Sequence, residues 1–429
     1  MALAEIVARK RMDVADRMAL RPLESFVDGL VPSDRSLSRA LAERGLGFIL
    51  ECKRSSPSQG RIRESFDPRA IARAYQPHAS AISVLTDGPY FGGSFDDLRA
   101  VRGQVRQPVL CKDFIVDPYQ VFEARLHGAD AVLLMLSVLD DETYRRCVEA
   151  VQRLGMEALT EVHDADEMAR ARALKAPVVG INNRDLKTLK VDIAVTERLA
   201  PLRPQGALLV SESGIGSHGD VRRLRAHVDA FLVGTTLMRA PDLSRATREL
   251  LYGRIKICGL TRPADAQIAA TAGATWGGLL LAPESPRFVS LEQARGLREA
   301  EPGLQWAGVF VNESASRVGE VARALELDAV QLHGEEDESV VAAVRAAVPD
   351  STEVWKAVRV TESIPAVRGV DRVLLDAFSK DARGGTGRTF NWLLLEGLSD
   401  RDRLIVSGGL DAERALSADG LGAWALDVS

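Results

Sequence analysis

Four cysteines, at positions 52, 111, 147 and 258, include no CxxC pair, and six histidines include no HExxH or HxxxH pair. Such a set offers neither a disulfide framework nor a zinc-ligand spacing, so no metal and no disulfide is expected. Long apolar runs are missing too. The longest, around Ala131 to Leu136, falls far short of the ~20 residues needed to cross a bilayer. The opening MALAEIVARKRMD is charged too early for a signal peptide, and a cytoplasmic protein without a membrane partner is expected. Nor does either charge gather into a run: Lys+Arg 55 against Asp+Glu 60 gives a net charge of -5. A chain that cannot follow a phosphate backbone is not expected to bind nucleic acid.

What is present is the balance of a globular protein, 46% hydrophobic and 27% charged, which excludes disordered and collagen-like classes. The 429 residues suit two or three domains, or two of the larger single-core folds. From Gly47 onward, short runs rich in Val, Ile and Leu alternate with longer amphipathic stretches: FILECK, AISVLT, PVLCKD, AVLLML, EALTEV, VVGINN, LLVSES and AFLVGT. These read as eight strands between Phe48 and Thr235. The intervening stretches open with helix-capping residues at Asp67-Pro68, Asp117-Pro118, Asp140-Asp141 and Asp164.

Eight strand-helix units in about 200 residues suit a closed barrel; the competing open, doubly wound sheet would call for a GxGxxG turn and longer crossovers, which are absent. At Arg254 the pattern restarts with IKICGL, GGLLLA, WAGVFV, AVQLHG, VWKAV, VLLDAF, LIVSGG and ALDVS. The α/β reading is therefore two tandem (β/α)8 TIM barrels, residues 1–253 and 254–429, joined near Tyr252-Gly253 with almost no linker. The first 46 residues precede the first strand, and LAEIVARKRMDVADRMAL has the periodicity of a helical extension on the first barrel. The last strand ends at Ser429, so the second barrel is expected to lack its final helix.

TIM barrels build their sites at the C-terminal ends of the strands. In the first half those ends carry Glu51, Lys53, Lys112, Glu161, Asn182, Arg184, Glu212 and Ser213. Any one of the charged residues could be an ion pair in the barrel mouth; Glu51, Lys53, Lys112 and Glu161 together point to acid-base catalysis, since facing lysine and glutamate shift each other's proton affinity. Ser213-Gly214 and Gly234-Thr235 fit the phosphate site that such barrels form after strands seven and eight. A phosphorylated small molecule follows as the expected substrate.

In order along residues 1–253, ILECKRSSPSQG, SVLTD, CKDFIVDPYQ, LLMLSVLDD, LTEVHD, GINNRDL, SESGI and FLVGTTLM resemble indole-3-glycerol-phosphate synthase. The second half resembles phosphoribosylanthranilate isomerase, through Cys258 in KICGLTR, Arg287 in SPRF, His333 in QLHG, Asp376 in LLDAF and the glycines of GGTG and SGG. The order resembles a fused bifunctional enzyme, a carbon-carbon lyase joined to an intramolecular oxidoreductase, in bacterial tryptophan biosynthesis. It implies phosphorylated anthranilate-derived substrates and no cofactor. A monomer is expected, because the fusion already supplies a domain interface.

The resemblance assigns roles. Lys112 would be the general acid of ring closure and Glu161 the second acid-base group. Lys53 would pair with the substrate carboxylate and phosphate, Glu51 would orient the lysines, and Asn182, Arg184 and Glu212 would hold the rest of the substrate. Ser56, Ser213, Gly214, Gly234 and Thr235 would complete the phosphate side. In the second barrel Asp376 would be the acid, Cys258 the base and Arg287 the fork for the anthranilate carboxylate. His333 would line the site or be a hydrogen-bonded core histidine. Gly384, Gly385, Gly387, Gly408 and Gly409, with Asp427 and Ser429, would form the phosphate side.

Two departures stand out. After SVLTD the chain reads GPYFGGSF where the family more often has a Glu and a Gln or Lys, which touches the gating of a loop rather than the chemistry. The family also continues past DVS with a serine-glycine-valine-glutamate segment that helps bind phosphate. Two other readings therefore stay open: an active first barrel with an inactive, stabilising second one, and a different phosphosugar enzyme using Lys53 or Lys112 as a Schiff base.

Overall fold

The structure is a computed structural model and describes residues 3–43, 45–377 and 389–429. It divides into two compact units, Met1–Thr247 and Arg248–Ser429. Each holds eight parallel strands closed into a barrel. In the first unit these are β1 (Gly47–Cys52), β2 (Ala81–Leu85), β3 (Val109–Lys112), β4 (Ala131–Met135), β5 (Glu157–Val162), β6 (Val178–Asn182), β7 (Leu208–Glu212) and β8 (Ala230–Val233). Closure is made by β1, which pairs with β8 from Gly47↔Ala230 and with β2 from Ile49↔Ala81. The open-sheet alternative is thereby excluded.

The helices start where the sequence placed their caps. Asp67, Asp140 and Asp164 each accept from a backbone N–H of the first turn, of Arg69, Thr143 and Glu167, and Asp117 accepts from Tyr119 N at 2.8 Å. Such caps satisfy donors that the helix itself leaves unpaired. The extension opens with the helix α1 (Leu3–Leu20), whose buried face carries Ile6, Lys10 and Val14, and reaches the first strand through two short 3-10 turns and a second helix, Leu37–Ala42. Lys10 enters the interior because its ammonium meets two carboxylates, Asp87 after β2 at 2.8 Å and Asp113 after β3 at 2.5 Å. Unpaired, that charge would cost several kcal/mol by rough estimate; paired, it fastens α1 across the strand ends. A short antiparallel ribbon, Ser55–Ser56 with Gly60–Arg61, also lies in the loop after β1, too short to show as a period in the sequence.

The second unit has β9 (Ile255–Cys258), β10 (Trp276–Leu280), β11 (Gln305–Phe310), β12 (Ala329–Leu332), β13 (Glu353–Val360), β14 (Arg372–Ala377), β15 (Leu404–Val406) and β16 (Ala425–Val428). Here the strand-helix alternation lapses: residues 361–371, between β13 and β14, form no helix. Eleven residues containing Pro365 and Gly369, the latter at φ +73°, leave no room for a capped helix. The last described element is β16, with no helix after it.

The two interiors are filled differently. Aliphatic side chains, among them Ile49, Leu110, Leu133, Leu159 and Val210, pack inside the first barrel. In the second, Trp276, Trp355 and Trp424 pack on one another with ring centroids 4.7 to 6.0 Å apart, in a cluster with small residues such as Ala307, Ala329 and Ala425. Edge-to-face and tilted aromatic contacts at that spacing add to the area they bury.

Candidate active sites

In the first barrel, Glu51, Lys53, Ser56, Lys112, Glu161, Asn182, Arg184, Glu212, Ser213, Gly214, Gly234 and Thr235 all line one cavity of about 530 Å³ at the C-terminal strand ends. Leu3 and Ile6 of α1 line it as well. Its centre is the Lys112 ammonium at the end of β3, 2.9 Å from Glu161 Oε2 and 3.1 Å from Glu212 Oε2. The carboxylates come from β5 and β7, so three strands meet at one cation. Lys53 pairs separately with Glu51 at 2.6 Å. Asn182 Nδ2 donates to the other oxygen of Glu161 at 3.1 Å.

Two glycines make room for these carboxylates. A Cβ at Gly180 would collide with Glu212 Oε1, and one at Gly234 with Glu51 Oε1. Ser213 and Gly214 follow β7 with left-handed φ of +65° and +85°. That conformation is strained for serine, and such strain gathers at functional turns.

The electrostatics separate the two carboxyls. Burial works against the charge of Lys112, but Glu161, Glu212 and Glu51 outweigh it and hold the ammonium protonated well above its usual range. Burial likewise works against Glu161, yet Lys112 and His163 outweigh it and keep Glu161 ionised, below the carboxylate range. For Glu212 burial wins: Lys112 offsets it only in part, Glu161 adds repulsion, and the carboxyl rises to about 7. The mouth thus holds a fixed ammonium, a fixed carboxylate and one carboxyl that exchanges its proton near neutrality.

His163 was not singled out by sequence. Its Nε2 lies 3.2 Å from Glu161 and its Nδ1 3.1 Å from Glu167. Burial lowers its proton affinity, but the bonds to Glu161 and Glu167 overcome that and raise it to about 10. The signal was within LTEVHDADE, where His163 stands two residues past Glu161 and four before Glu167. Lys10, Asp87 and Asp113 were missed for lack of any local signal, since three distant segments supply them.

In the second barrel, Cys258 ends β9, Asp376 lies in β14 and His333 follows β12. His333 Nε2 stands 3.8 Å from Asp376 Oδ2, and Gln331 Nε2 lies 3.0 Å from His333 Nδ1. Burial, then Lys256, lowers His333 to about 4, so it is a neutral imidazole at pH 7. Burial raises the Asp376 carboxyl, partly countered by the N–H of Ala377; a carboxyl so held can donate a proton. Arg287 Nη1 donates to the backbone oxygen of Cys258 at 3.0 Å, which brings it to the same mouth.

Gly408 and Gly409 follow β15 with φ of +85° and +63°, the counterpart of Ser213-Gly214. Asp427, grouped by sequence with the phosphate side, instead pairs with Lys256 at 2.8 Å and accepts from Ser407 at 3.2 Å. A buried carboxylate with its oxygens so engaged is not a ligand for another anion. Ser429 is exposed at the end of the chain, and Gly384, Gly385 and Gly387 lie outside the described residues.

The fold, with charged and polar residues gathered at the strand ends of each barrel, defines a tandem TIM-barrel protein of the enzyme class. A family model for indole-3-glycerol phosphate synthase matches residues 3–250, and one for N-(5'-phosphoribosyl)anthranilate isomerase matches residues 255–429. The chain is 49% identical over 429 residues to the tryptophan biosynthesis protein TrpCF of Vibrio cholerae, covering 100% of this chain and 91% of that one. It is 48% identical to TrpCF of Salmonella typhi, over 100% and 94%. A solved phosphoribosyl anthranilate isomerase from Thermus thermophilus is similar over 41% of this chain and 86% of its own, at 32% identity and a TM-score of 0.36. The chain belongs to the TrpCF family of bifunctional tryptophan-biosynthesis enzymes. It carries both the isomerase and the ring-closing synthase activity.

Proposed function

We propose that the barrels divide the two reactions, isomerisation in residues 254–429 and ring closure in residues 1–253, with the roles that follow. The observation that carries this reading is the Lys112 ammonium held between Glu161 and Glu212 at the first mouth, set against a thiol, a carboxyl and a neutral imidazole at the second.

In the isomerase barrel, Asp376 gives its proton to the ring oxygen of phosphoribosylanthranilate as the C1'–O bond breaks, leaving an iminium at C1'. Cys258 as thiolate removes the C2' proton. The C2'–H electron pair becomes the C1'=C2' bond, the iminium pair returns to nitrogen, and the resulting enol tautomerises to the ketose. Arg287 presents a planar fork to the anthranilate carboxylate.

In the synthase barrel, the anthranilate ring carbon attacks the C2' carbonyl while Lys112 protonates its oxygen. Carbon dioxide leaves from the ring, its bonding pair restoring the aromatic ring, and the hydroxyl then leaves as water, protonated again by the Lys112 side, while Glu161, the second acid-base group, takes the C1' proton so that this C–H pair becomes the C1'=C2' bond of the indole. Glu212, titrating near neutrality, is suited to resupply that proton, with Glu161 holding the ammonium in line. Lys53 and Arg184 meet the substrate's anions, and the turn of Ser213-Gly214 with Gly234-Thr235 meets the phosphate. In this reading the protein is a carbon-carbon lyase fused to an intramolecular oxidoreductase. It acts as a monomer in the cytoplasm without a cofactor; each mouth is built within one unit, and among the described residues no helix is long and apolar enough to cross a membrane.

The test is to supply the purified chain with phosphoribosylanthranilate alone and follow loss of anthranilate fluorescence and appearance of the indole product, with the rearranged aminoketose as control substrate. Product from both substrates is expected. Product from the control alone would leave the second barrel without its proposed role.

A further inference from the structure

The second mouth contains a buried cation that the mechanism above does not use. Lys256 precedes Cys258 by two residues on β9, and residues two apart on a strand share a face. Lys256 is 1% exposed, its Nζ lies 2.8 Å from Asp427 Oδ1, and its charge acts on the Cys258 thiol. On the neighbouring strand Gly278 pairs with Cys258. A Cβ there would stand 2.8 Å from Cys258 Sγ and 3.2 Å from Lys256 Cε, so thiol and ammonium arm converge on space that only glycine leaves open.

We propose that Lys256 is a positioning residue of the isomerase site: its ammonium stabilises the Cys258 thiolate, and Asp427 fixes the ammonium in place. The inference rests on Cys258 being the base. The physical need is plain, because a buried thiol surrounded by apolar strands stays protonated and cannot take a proton from carbon, whereas a lysine beside it favours the thiolate. The charged groups facing Cys258 are Lys256 from its own strand, Asp427 from β16 and Arg287 from the loop after β10. His333 and Asp376 face the Lys256–Asp427 pair from β12 and β14. Among these, burial and Asp427 oppose the thiolate and leave the thiol above its ordinary value, while Lys256 and then Arg287 hold that rise down. Asp427 therefore has two opposed effects: it anchors the cation and repels the anion.

That opposition makes the test decisive. Cys52, Cys111 and Cys147 are buried while Cys258 is partly accessible, so the rate of iodoacetamide alkylation of the full chain against pH reads the Cys258 thiolate directly. Lys256→Met is expected to move the alkylation midpoint up by about one unit or more, a tenfold slower reaction per unit at a fixed pH below it, and to move the acid limb of the isomerase kcat/KM profile with it. Asp427→Asn is expected to move the midpoint down, and Lys256→Arg to leave it near that of the unaltered chain. A pair that served packing alone would disturb both variants alike. An unmoved midpoint in Lys256→Met, or the same direction in both, overturns the proposal. If Lys256→Met yields no folded second barrel, Asp427→Asn decides, and an unchanged or raised midpoint there overturns it. Full isomerase activity in Cys258→Ala would instead remove the base assignment, while the alkylation midpoints still report on Lys256.

Discussion

The two barrels share one strand order and one way of closing, yet they differ at both ends. The first is filled with aliphatic side chains and opens into a roomy mouth where one ammonium is shared by two carboxylates, with α1 fastened across the top. The second has a tryptophan floor and a mouth in which a thiol, a lysine, an imidazole and two aspartates crowd together. Strand pairing and floor packing make the scaffold, and any well-packed apolar set serves. The residues at the strand ends decide the chemistry, which is how one fold carries unrelated reactions. Ring closure needs a proton donor that is used repeatedly and resupplied; isomerisation needs one acid and one soft base.

The largest expected effect is at Lys112. Lys112→Ala should slow ring closure by about 10²–10⁴-fold, the usual worth of a positioned acid-base group, and leave isomerisation unchanged; assays with each substrate on the same preparation check it, and loss of both activities would break the division. Cys258→Ala should show the converse, with a similar loss confined to isomerisation. Trp355→Ala, which empties the floor of the second barrel where Trp355 is 0% exposed, should destabilise that barrel by about 3–5 kcal/mol; denaturant unfolding followed by tryptophan fluorescence measures it.

Two smaller effects sharpen the contrast through pH. The synthase rate profile should bend near pH 7 because Glu212 exchanges its proton there, and the bend should vanish in Glu212→Gln. His163 is raised from 6.5 to about 10 in the folded barrel. A group raised on folding contributes stability that is complete below its unfolded value and is lost as pH climbs through the folded one. The stability gap between the unaltered chain and His163→Gln should therefore be widest at or below pH 6.5 and close by about pH 10.

Much of this was legible in the chain because barrel strands are short apolar runs and their last residues are polar for a reason. Every run quoted from FILECK to ALDVS contributes a barrel strand, and the first mouth's residues gather in one cavity. Illegible parts have physical causes. Lys10, Asp87 and Asp113 meet only after folding brings three segments together. Lys256 reads as one more strand residue until the interior face is known, although its spacing of two from Cys258 put it there. The missing helix between β13 and β14 was marked by Pro365 and Gly369, which the repeating pattern overrode.

The most direct test of two complete and separate sites is complementation. Lys112→Ala and Cys258→Ala chains, each alone, should form indole-3-glycerol phosphate from phosphoribosylanthranilate about 10²–10⁴-fold more slowly than the unaltered chain. Mixed, they should restore the rate after a lag while the aminoketose builds up and passes from one chain to the other. No gain in rate from the mixture, with each chain still active on its remaining step, would contradict the account.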